Sequence, residues 1–428
     1  MLEPEDNERL VRVGPGKPAG HLMRRYWQPA LLSEELPQND CPPVRVRLLC
    51  EELIAFRDSC GRAGLVDAFC PHRRAPLFFG RNEQSGLRCA YHGWKWDTQG
   101  NCVDMPSEPP GTPLKDHVKI LAYPTVELGG VIWAYMGPRE HMPPPPDFEW
   151  MRAPPTHRFV TKTHEDCNYL QAMEGGLDTV HSSFAHNNHL NDEKAFRNFD
   201  TAPRTEVERT EYGIRYASTR RAGENRRYVR VYHYVMPNQQ MRGTFTPLFI
   251  GENGEHPYAT PKSDGHLWVP IDDEHTMVYN WACGRDETVP LSAEFRDRWE
   301  TLAGRGADDL IAGTYKLKRN RSNEYLIDRA LQRTQTFTGI RGINTQDYAL
   351  QEGMGPIVDR SKENLGSSDK TIVVLRKVML DAIHAVERGL SPPGVDPQSH
   401  RCLRPYDAVI PGDTPWQEMF EKELVAKW

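Results

Sequence analysis

The sequence predicts an α+β protein of two domains, a β-rich N-terminal one and a larger C-terminal one in which helices flank a central antiparallel sheet. Three observations carry that reading. The chain has 428 residues, more than one compact core ordinarily holds. Short alternating runs fill the region from Val44 to about residue 137, and alternation returns over 205–283 between stretches of helical periodicity. Between the two lies "PREHMPPPPDFEW", whose four consecutive prolines can neither continue a helix nor sit inside a sheet. The expected division is a segment 1–43 packing on the C-terminal domain, a β-rich domain 44–145 and a larger domain 146–428.

In chain order, "VRVRLL" alternates and "LIAF" follows, with turn chemistry at Asp58-Ser59-Cys60-Gly61 and Thr98-Gln99-Gly100-Asn101. "GGVIWAYMG" (129–137) closes the region as a buried strand. After the prolines, "CNYLQAMEGGLDTVHSSFAHNN" (167–188) reads as helical, with Leu170, Met173, Leu177, Val180 and Phe184 three and four residues apart. In "RRYVRVYHYV", Val229, Val231 and His233 share one strand face, and Arg230, Tyr232 and Tyr234 the other. Helices are expected over 293–312, 322–335 and 370–389, the last with a glycine stop.

Composition narrows the function classes. A net charge of −6 gives no footprint for nucleic acid. The local cluster "TRRAGENRRYVR" (219–230) reads as a solvated strand and turn. The acidic start "MLEPEDNERL" lacks the order of a signal peptide, and no apolar run approaches the roughly 18 residues of a membrane span. Nine cysteines, an odd number without a secretion signal, argue against a disulfide framework. Cys41, Cys50, Cys60, Cys102, Cys167, Cys283 and Cys402 are read as free thiols in a reducing cytoplasm, which singles out Cys70 and Cys89.

Those two each have a histidine at hand, as Cys70-x-His72 and Cys89-x-x-His92, with sixteen residues between the halves. Zinc accepts four such ligands. A [2Fe–2S] cluster does too, with two thiolates on one iron and two imidazoles on the other, and Pro71 and Gly93 suit the tight loops whose N–H groups tune a cluster. "CPHRRAPLFFGRNEQSGLRCAYHGWKWD" resembles the cluster-binding motif of Rieske oxygenases, including the Tyr-His-Gly-Trp after the second cysteine. A free-standing Rieske electron carrier would need little more than the first 140 residues. The rest of the chain points to a destination for the electrons.

"EGGLDTVHSSFAH" holds Glu174, Asp178, His181 and His186. Histidines five apart on an ideal helix point about 140° apart, so they converge only where the helix loosens, and Ser182-Ser183 is a place for that. Two imidazoles and a carboxylate make the facial triad of non-heme Fe(II) oxygenases. Asp347 and Asp359, in "GINTQDYALQEGMGPIVDRSKENLG", are both available for the third position. The stretch "NYLQAMEGGLDTVHSSFAH" also resembles the iron-binding helix of the Rieske oxygenase superfamily. The superfamily pattern, an aspartate followed five residues later by a glutamate, selects Asp347 with Glu352 over Asp359. It also implies that Asp178 supports His181 and bridges to the cluster ligand His92 of a neighbouring subunit, in a head-to-tail homotrimer or a hexamer of stacked trimers.

"RVGPGKPAGHLMRRYWQPALLSEELP", "CVDMPSEPP" and "TFTGIRGINTQDYALQEGMGPIVDRSKENLG" are similar to the phthalate dioxygenase group. That resemblance implies a Rieske domain followed by a helix-grip, START-like catalytic domain, a [2Fe–2S] cluster, a mononuclear Fe(II), O₂ as co-substrate and an NADH-dependent FMN/[2Fe–2S] reductase. It implies cis-dihydroxylation of an aromatic carboxylate, phthalate or a benzoate such as 3-chlorobenzoate. The alternatives are a Rieske monooxygenase or O-demethylase of a methoxy-aromatic acid and, in a different class, a non-catalytic electron carrier. For the substrate carboxylate the expected anchors are Arg204 and Arg242, since an arginine fork matches a carboxylate. Val180 and Ser183 flank His181 as expected pocket wall. "HNNHLNDEKAFRNF" and "TFTPLFIGENGEHPYATP" fall where pocket loops are expected.

Overall fold

In the computed structural model, which describes residues 2–192, 198, 200–244 and 262–428, the alternation after Val44 becomes an antiparallel meander. Strands β2 (Val44–Leu48), β3 (Glu51–Arg57) and β4 (Ala63–Asp67) pair in sequence, and β9 (Ala122–Tyr123) adds to β4. The turn after β3 is fixed by Asp58, whose carboxylate accepts the N–H groups of Cys60 and Arg62 at 2.9 Å, with Gly61 at φ 82°. A second sheet runs β5 (Arg81–Glu83), β6 (Gly86–Arg88), β7 (Lys95–Trp96) and β8 (Cys102–Asp104). The two sheets share a core of Ile54, Phe56, Val66, Leu77, Leu87, Trp94 and Trp96, and Cys70 and Cys89 lie inside it.

A three-stranded sheet joins β1 (Trp27–Leu32), β11 (Val131–Tyr135) and β10 (Thr125–Leu128). This corrects the expectation for segment 1–43. Trp27 pairs with Tyr135 and Leu32 with Val131, and β11 is buried along its whole length. Backbone pairing and burial therefore make Val13–Pro145 one compact unit, and only the residues up to Arg12 group with the chain from Pro146 onward.

The second unit is built on an eight-stranded antiparallel sheet. Its order is β12 (Arg158–Glu165), β18 (Thr276–Gly284), β17 (Lys262–Pro270), β16 (Gln239–Thr244), β15 (Arg226–Val235), β14 (Gly213–Arg221) and β13 (Arg204–Thr210), with β19 (Tyr406–Pro411) also on β15. Both faces of β15 are covered. Val229 and Val231 pack with Ile410, Trp416 and Phe420. On the other face, cross-strand register aligns Tyr216, Tyr232, Arg242 and Asp264 in one row and Tyr234, Gln240, His266 and Asn280 in the next. That second face meets helix α2 (Tyr169–Leu177): Gln240 donates to the Gly176 carbonyl at 2.7 Å. A Cβ on Gly176 would lie 2.2 Å from the Trp268 indole, so only glycine lets the helix come this near the sheet.

Helices α1 (Pro4–Val11), α3 (Ala293–Ala303), α4 (Ile343–Gly353) and α5 (Lys370–Glu387) belong to the same unit. The helix expected over 293–312 stops early because Gly304 turns left-handed, at φ 81°. The stretch 322–335 is broken by Asp328, which accepts the N–H groups of Ala330 and Leu331 and caps a new short helix. Helix α2 is held through buried Glu174, which receives Arg360 at 2.8 Å and Arg376 at 2.6 Å. The arginine cluster 219–230 is a β14–β15 hairpin, but not a wholly solvated one. Arg221 and Arg226 are exposed, whereas Arg220 is buried.

Candidate metal centres

Cys70 and Cys89 open two loops of matching backbone design. Cys70 N–H donates to the Ala75 carbonyl and Arg74 N–H to the Cys70 carbonyl; Cys89 N–H donates to Trp94 and Gly93 N–H to Cys89. In each loop the fourth residue after the cysteine is left-handed, Arg74 at φ 60° and Gly93 at φ 79°. Gly93 adopts this freely; Arg74 is an L-residue held there by its loop. Two equivalent turns thus present two thiols inward and two imidazoles outward. The thiols are buried, and the rings of His72 and His92 are half-buried and edge to face, 4.5 Å between centroids. His72 stacks on Trp94 at 4.3 Å.

The donor chemistry fits a [2Fe–2S] cluster with mixed ligands. Burial pushes the Cys70 thiol up to about 11, with Cys89 adding to the effect, and burial beside His72 and Arg73 lowers the His92 imidazole. The buried Trp96 indole N–H is directed at the Cys70 sulfur, where it favours the thiolate against the effect of burial.

The second centre forms where α2 ends. The Asp178 N–H closes the last helical turn on the Glu174 carbonyl at 3.0 Å. Its carboxylate then accepts the N–H groups of Val180 at 2.7 Å and His181 at 3.2 Å, which reverses the chain. The helix read over 167–188 therefore stops at Leu177, ahead of the serine pair, because a side chain competes for the backbone donors. His181–Ser183 forms a 3₁₀ turn, and His186 comes back against His181.

His181 Nε2 lies 3.1 Å from His186 Nε2, and the two are 3.5 and 3.2 Å from Asp347 Oδ1. Adjacent ligands of one octahedral ion, with bonds of about 2.1 Å, stand about 3.0 Å apart, so these three atoms fit one face of a metal. Among the described residues they are the one His/Cys/Asp/Glu set of three whose ligand atoms fall within 4.8 Å of one another. Burial opposes charge on His181, but Asp178 and Asp347 together raise it to about 10. Burial likewise opposes charge on Asp347, yet the two imidazoles hold its carboxyl well below the usual range. Such mutual stabilisation of clustered charges is what a bound cation replaces.

Support behind the ligands is distributed over three elements. Asp178 Oδ2 lies 3.6 Å from His181 Nδ1. Gln346, next to Asp347 on α4, faces His186 Nδ1 at 2.8 Å. Arg220 reaches from β14 to the Ser183 hydroxyl at 2.6 Å and the Thr179 carbonyl at 2.7 Å. Glu352 accepts the Asp166 N–H at 3.0 Å and the Tyr325 hydroxyl, tying α4 to the end of β12.

Asp359 is exposed, caps the turn at Arg360–Lys362 and pairs with Lys362, away from this cluster. Val180 is half-buried; Ser183 is buried with its hydroxyl engaged by Arg220. Arg204 is exposed, and its register opposite Thr219 puts it on the sheet face away from Arg220. This corrects its expected place at a pocket, because strand parity turns it outward. Arg242 is on the α2-facing side but is ion-paired with buried Asp264. Arg230, one strand over on that side, donates to the Gly243 carbonyl at 2.8 Å. The alternation of "RRYVRVYHYV" already put Arg230 on one face with Tyr232; nothing local marked Arg220 or Gln346. Residues 193–197 and 199 of "HNNHLNDEKAFRNF" and 245–261 of "TFTPLFIGENGEHPYATP" lie outside the described residues.

Comparison with known proteins follows this geometry. A Rieske [2Fe-2S] domain matches residues 26–124, and a LigXa C-terminal domain like family matches residues 134–427. The phthalate 4,5-dioxygenase oxygenase subunit of Pseudomonas putida is 39% identical, over 98% of this chain and 94% of the relative. The 3-chlorobenzoate-3,4-dioxygenase oxygenase subunit of Comamonas testosteroni is 37% identical, over 99% of both. Among solved structures, Pseudomonas putida CBB5 NdmA with caffeine covers 93% of this chain and all of its own (100%), at a TM-score of 0.64 and 18% identity, which is a likeness of fold.

Proposed function

This chain belongs to the Rieske non-heme iron oxygenases of the phthalate dioxygenase type, and from that membership we propose that it cis-dihydroxylates an aromatic carboxylate, with phthalate the first substrate to test and 3-chlorobenzoate the second. It is the oxygenase component of such a system, with a Rieske [2Fe–2S] cluster and a mononuclear iron, and it works with a reductase and O₂. The observation that carries the reading is the convergence of His181 Nε2, His186 Nε2 and Asp347 Oδ1 within 3.5 Å of one another.

Cys70, His72, Cys89 and His92 would hold the cluster, and His181, His186 and Asp347 the iron. Together the two centres supply O₂ activation and two electrons, which with two protons turn an arene and O₂ into a cis-dihydrodiol. The chain's own residues do the placing. Asp178 and Arg220 fix the turn that carries His181, and Trp268 packed on Gly176 closes the sheet against α2. The α2-facing side of the sheet carries Arg242 and Arg230, whose guanidinium groups suit a carboxylate. Arg230 takes the place of Arg204 beside Arg242 in the proposed anchor, and the names of the two relatives support a carboxylate substrate.

The reductase is proposed to be an NADH-dependent FMN/[2Fe–2S] protein and the assembly a head-to-tail trimer or a hexamer of stacked trimers, in which Asp178 bridges His181 to a cluster histidine of the neighbouring subunit and so gives electrons a short path to the iron site. No helix among the described residues is long and apolar enough to cross a membrane, and a cytoplasmic location is proposed. The test is a single turnover of chemically reduced protein with O₂ and either acid, followed by product analysis. A cis-dihydrodiol from either supports the reading. Formaldehyde from a methoxy-aromatic acid, with no diol from the other two, replaces it with O-demethylation. No product from any of them, with both centres loaded, overturns it.

A further inference from the structure

The two histidines of the iron site have different groups behind them. His181 Nδ1 faces the Asp178 carboxylate at 3.6 Å, too far for a hydrogen bond. His186 Nδ1 is 2.8 Å from Gln346 Oε1, and both residues are buried. The Gln346 amide cannot be turned the other way. Its Nε2 donates to the Ile340 carbonyl at 2.9 Å and to Asn188 Oδ1 at 3.2 Å, so two acceptors fix the nitrogen end and leave the oxygen end for the ring. Against an oxygen with no proton to give, His186 must carry its proton on Nδ1. That leaves the lone pair on Nε2, the atom 3.2 Å from Asp347 Oδ1.

We propose that Gln346 is a positioning residue of the mononuclear centre: it selects the Nε2-ligating tautomer of His186, orients the ring, and thereby sets the affinity of the site for Fe(II). Helix α4 then contributes twice in succession, Asp347 as the ligand and Gln346 as the support of another ligand. The inference rests on the reading that His181, His186 and Asp347 bind iron. Adjacent residues on a helix project about 100° apart, so one side chain can meet the metal edge while its neighbour passes behind the ring.

The experiment measures Fe(II) binding anaerobically by calorimetry on the full chain with its Rieske cluster loaded, without substrate or turnover. Wild type, Gln346→Leu and Gln346→Glu are compared. Loss of a hydrogen bond behind a ligating histidine typically weakens metal binding about 10- to 100-fold, and Gln346→Leu is expected to do so with the cluster absorption unchanged. Gln346→Glu keeps an acceptor against Nδ1 but gives up the two Nε2 donations; it is expected to bind Fe(II) more tightly than the leucine variant and to lower the Fe(III)/Fe(II) midpoint potential, because the added charge makes the His186 Nε2 a stronger donor. A leucine variant that binds as tightly as wild type overturns the proposal, as does a glutamate variant as weak as the leucine one. If the leucine variant fails to fold, the glutamate variant decides, and an unchanged potential overturns the proposal. Wild-type protein that binds no mononuclear iron would instead refute the metal site itself.

Discussion

Arg220 and Ser183, on elements 37 residues apart in sequence, are joined by a hydrogen bond of 2.6 Å, and through it the sheet holds the turn that carries His181. The same guanidinium takes the Thr179 and Asp200 carbonyls. Arg220→Met strands one buried and two half-buried acceptors and is expected to cost about 2–3 kcal/mol of stability. Arg220→Lys keeps the charge but not the fork, and is expected to release mononuclear iron faster than wild type on dialysis against chelator. Iron retention equal to wild type in the lysine variant would show that the turn holds itself.

Asp347 and Asp359 were both available from sequence, and they separate cleanly by experiment. Asp347→Ala is expected to lose mononuclear iron and to lower turnover by more than about 100-fold. Asp359→Ala, at an exposed turn, is expected to stay within about twofold of wild type. Metal analysis and steady-state rates on both variants check this.

Cys89→Ala removes one of two buried thiols that share a core with Trp94 and Trp96. The expected result is loss of the cluster's visible absorption, with iron falling from about three to about one per chain while the mononuclear site stays loaded. Retained absorption would place the cluster elsewhere.

His233 is buried between Tyr212, at 2.8 Å from Nδ1, and the Arg404 carbonyl, at 3.2 Å from Nε2. Burial, only partly offset by that carbonyl, lowers its imidazole to about 4, against about 6.5 in an unfolded chain. Between those values the unfolded state binds the extra proton. The stabilisation is therefore present above pH 6.5 and lost as pH falls toward 4, by at most about 3 kcal/mol. His400, lowered to about 4 by burial, adds a second contribution of the same sign. Urea midpoints followed by tryptophan fluorescence from pH 7 to 4 are expected to fall steeply in wild type and less so in His233→Gln.

Local pattern carried much of this structure. The face assignment in "RRYVRVYHYV" needed only strand period, and it holds because β15 is sandwiched: Val229 and Val231 meet one core, and Tyr232 and Tyr234 line the other side. The two aspartates that periodicity could not separate were separated by the resemblance to the superfamily, whose aspartate-to-glutamate spacing fits Asp347 with Glu352. What stayed hidden depended on contacts between distant segments. Helical spacing through Val180 and Phe184 continued past Leu177, but the Asp178 side chain captured the amides of Val180 and His181. Gln346 and Arg220 look like ordinary polar residues until the fold brings His186 and Ser183 to them. The segment before Val44 misled for a similar reason: β1 finds its partner in β11, about a hundred residues later, where no local signal points.

The placement of the two thiols bears on how the chain takes up its cluster. Burial, with Cys89 adding to it, raises the Cys70 thiol to about 11 and favours the protonated form. Ligation of iron needs the thiolate, so binding a cluster at Cys70 releases a proton that burial otherwise holds. His72 and His92, half-buried at the rim, remain within reach of a donor of iron and sulfide. The burial that hosts the cluster therefore makes its uptake dependent on pH, more favourable as pH rises.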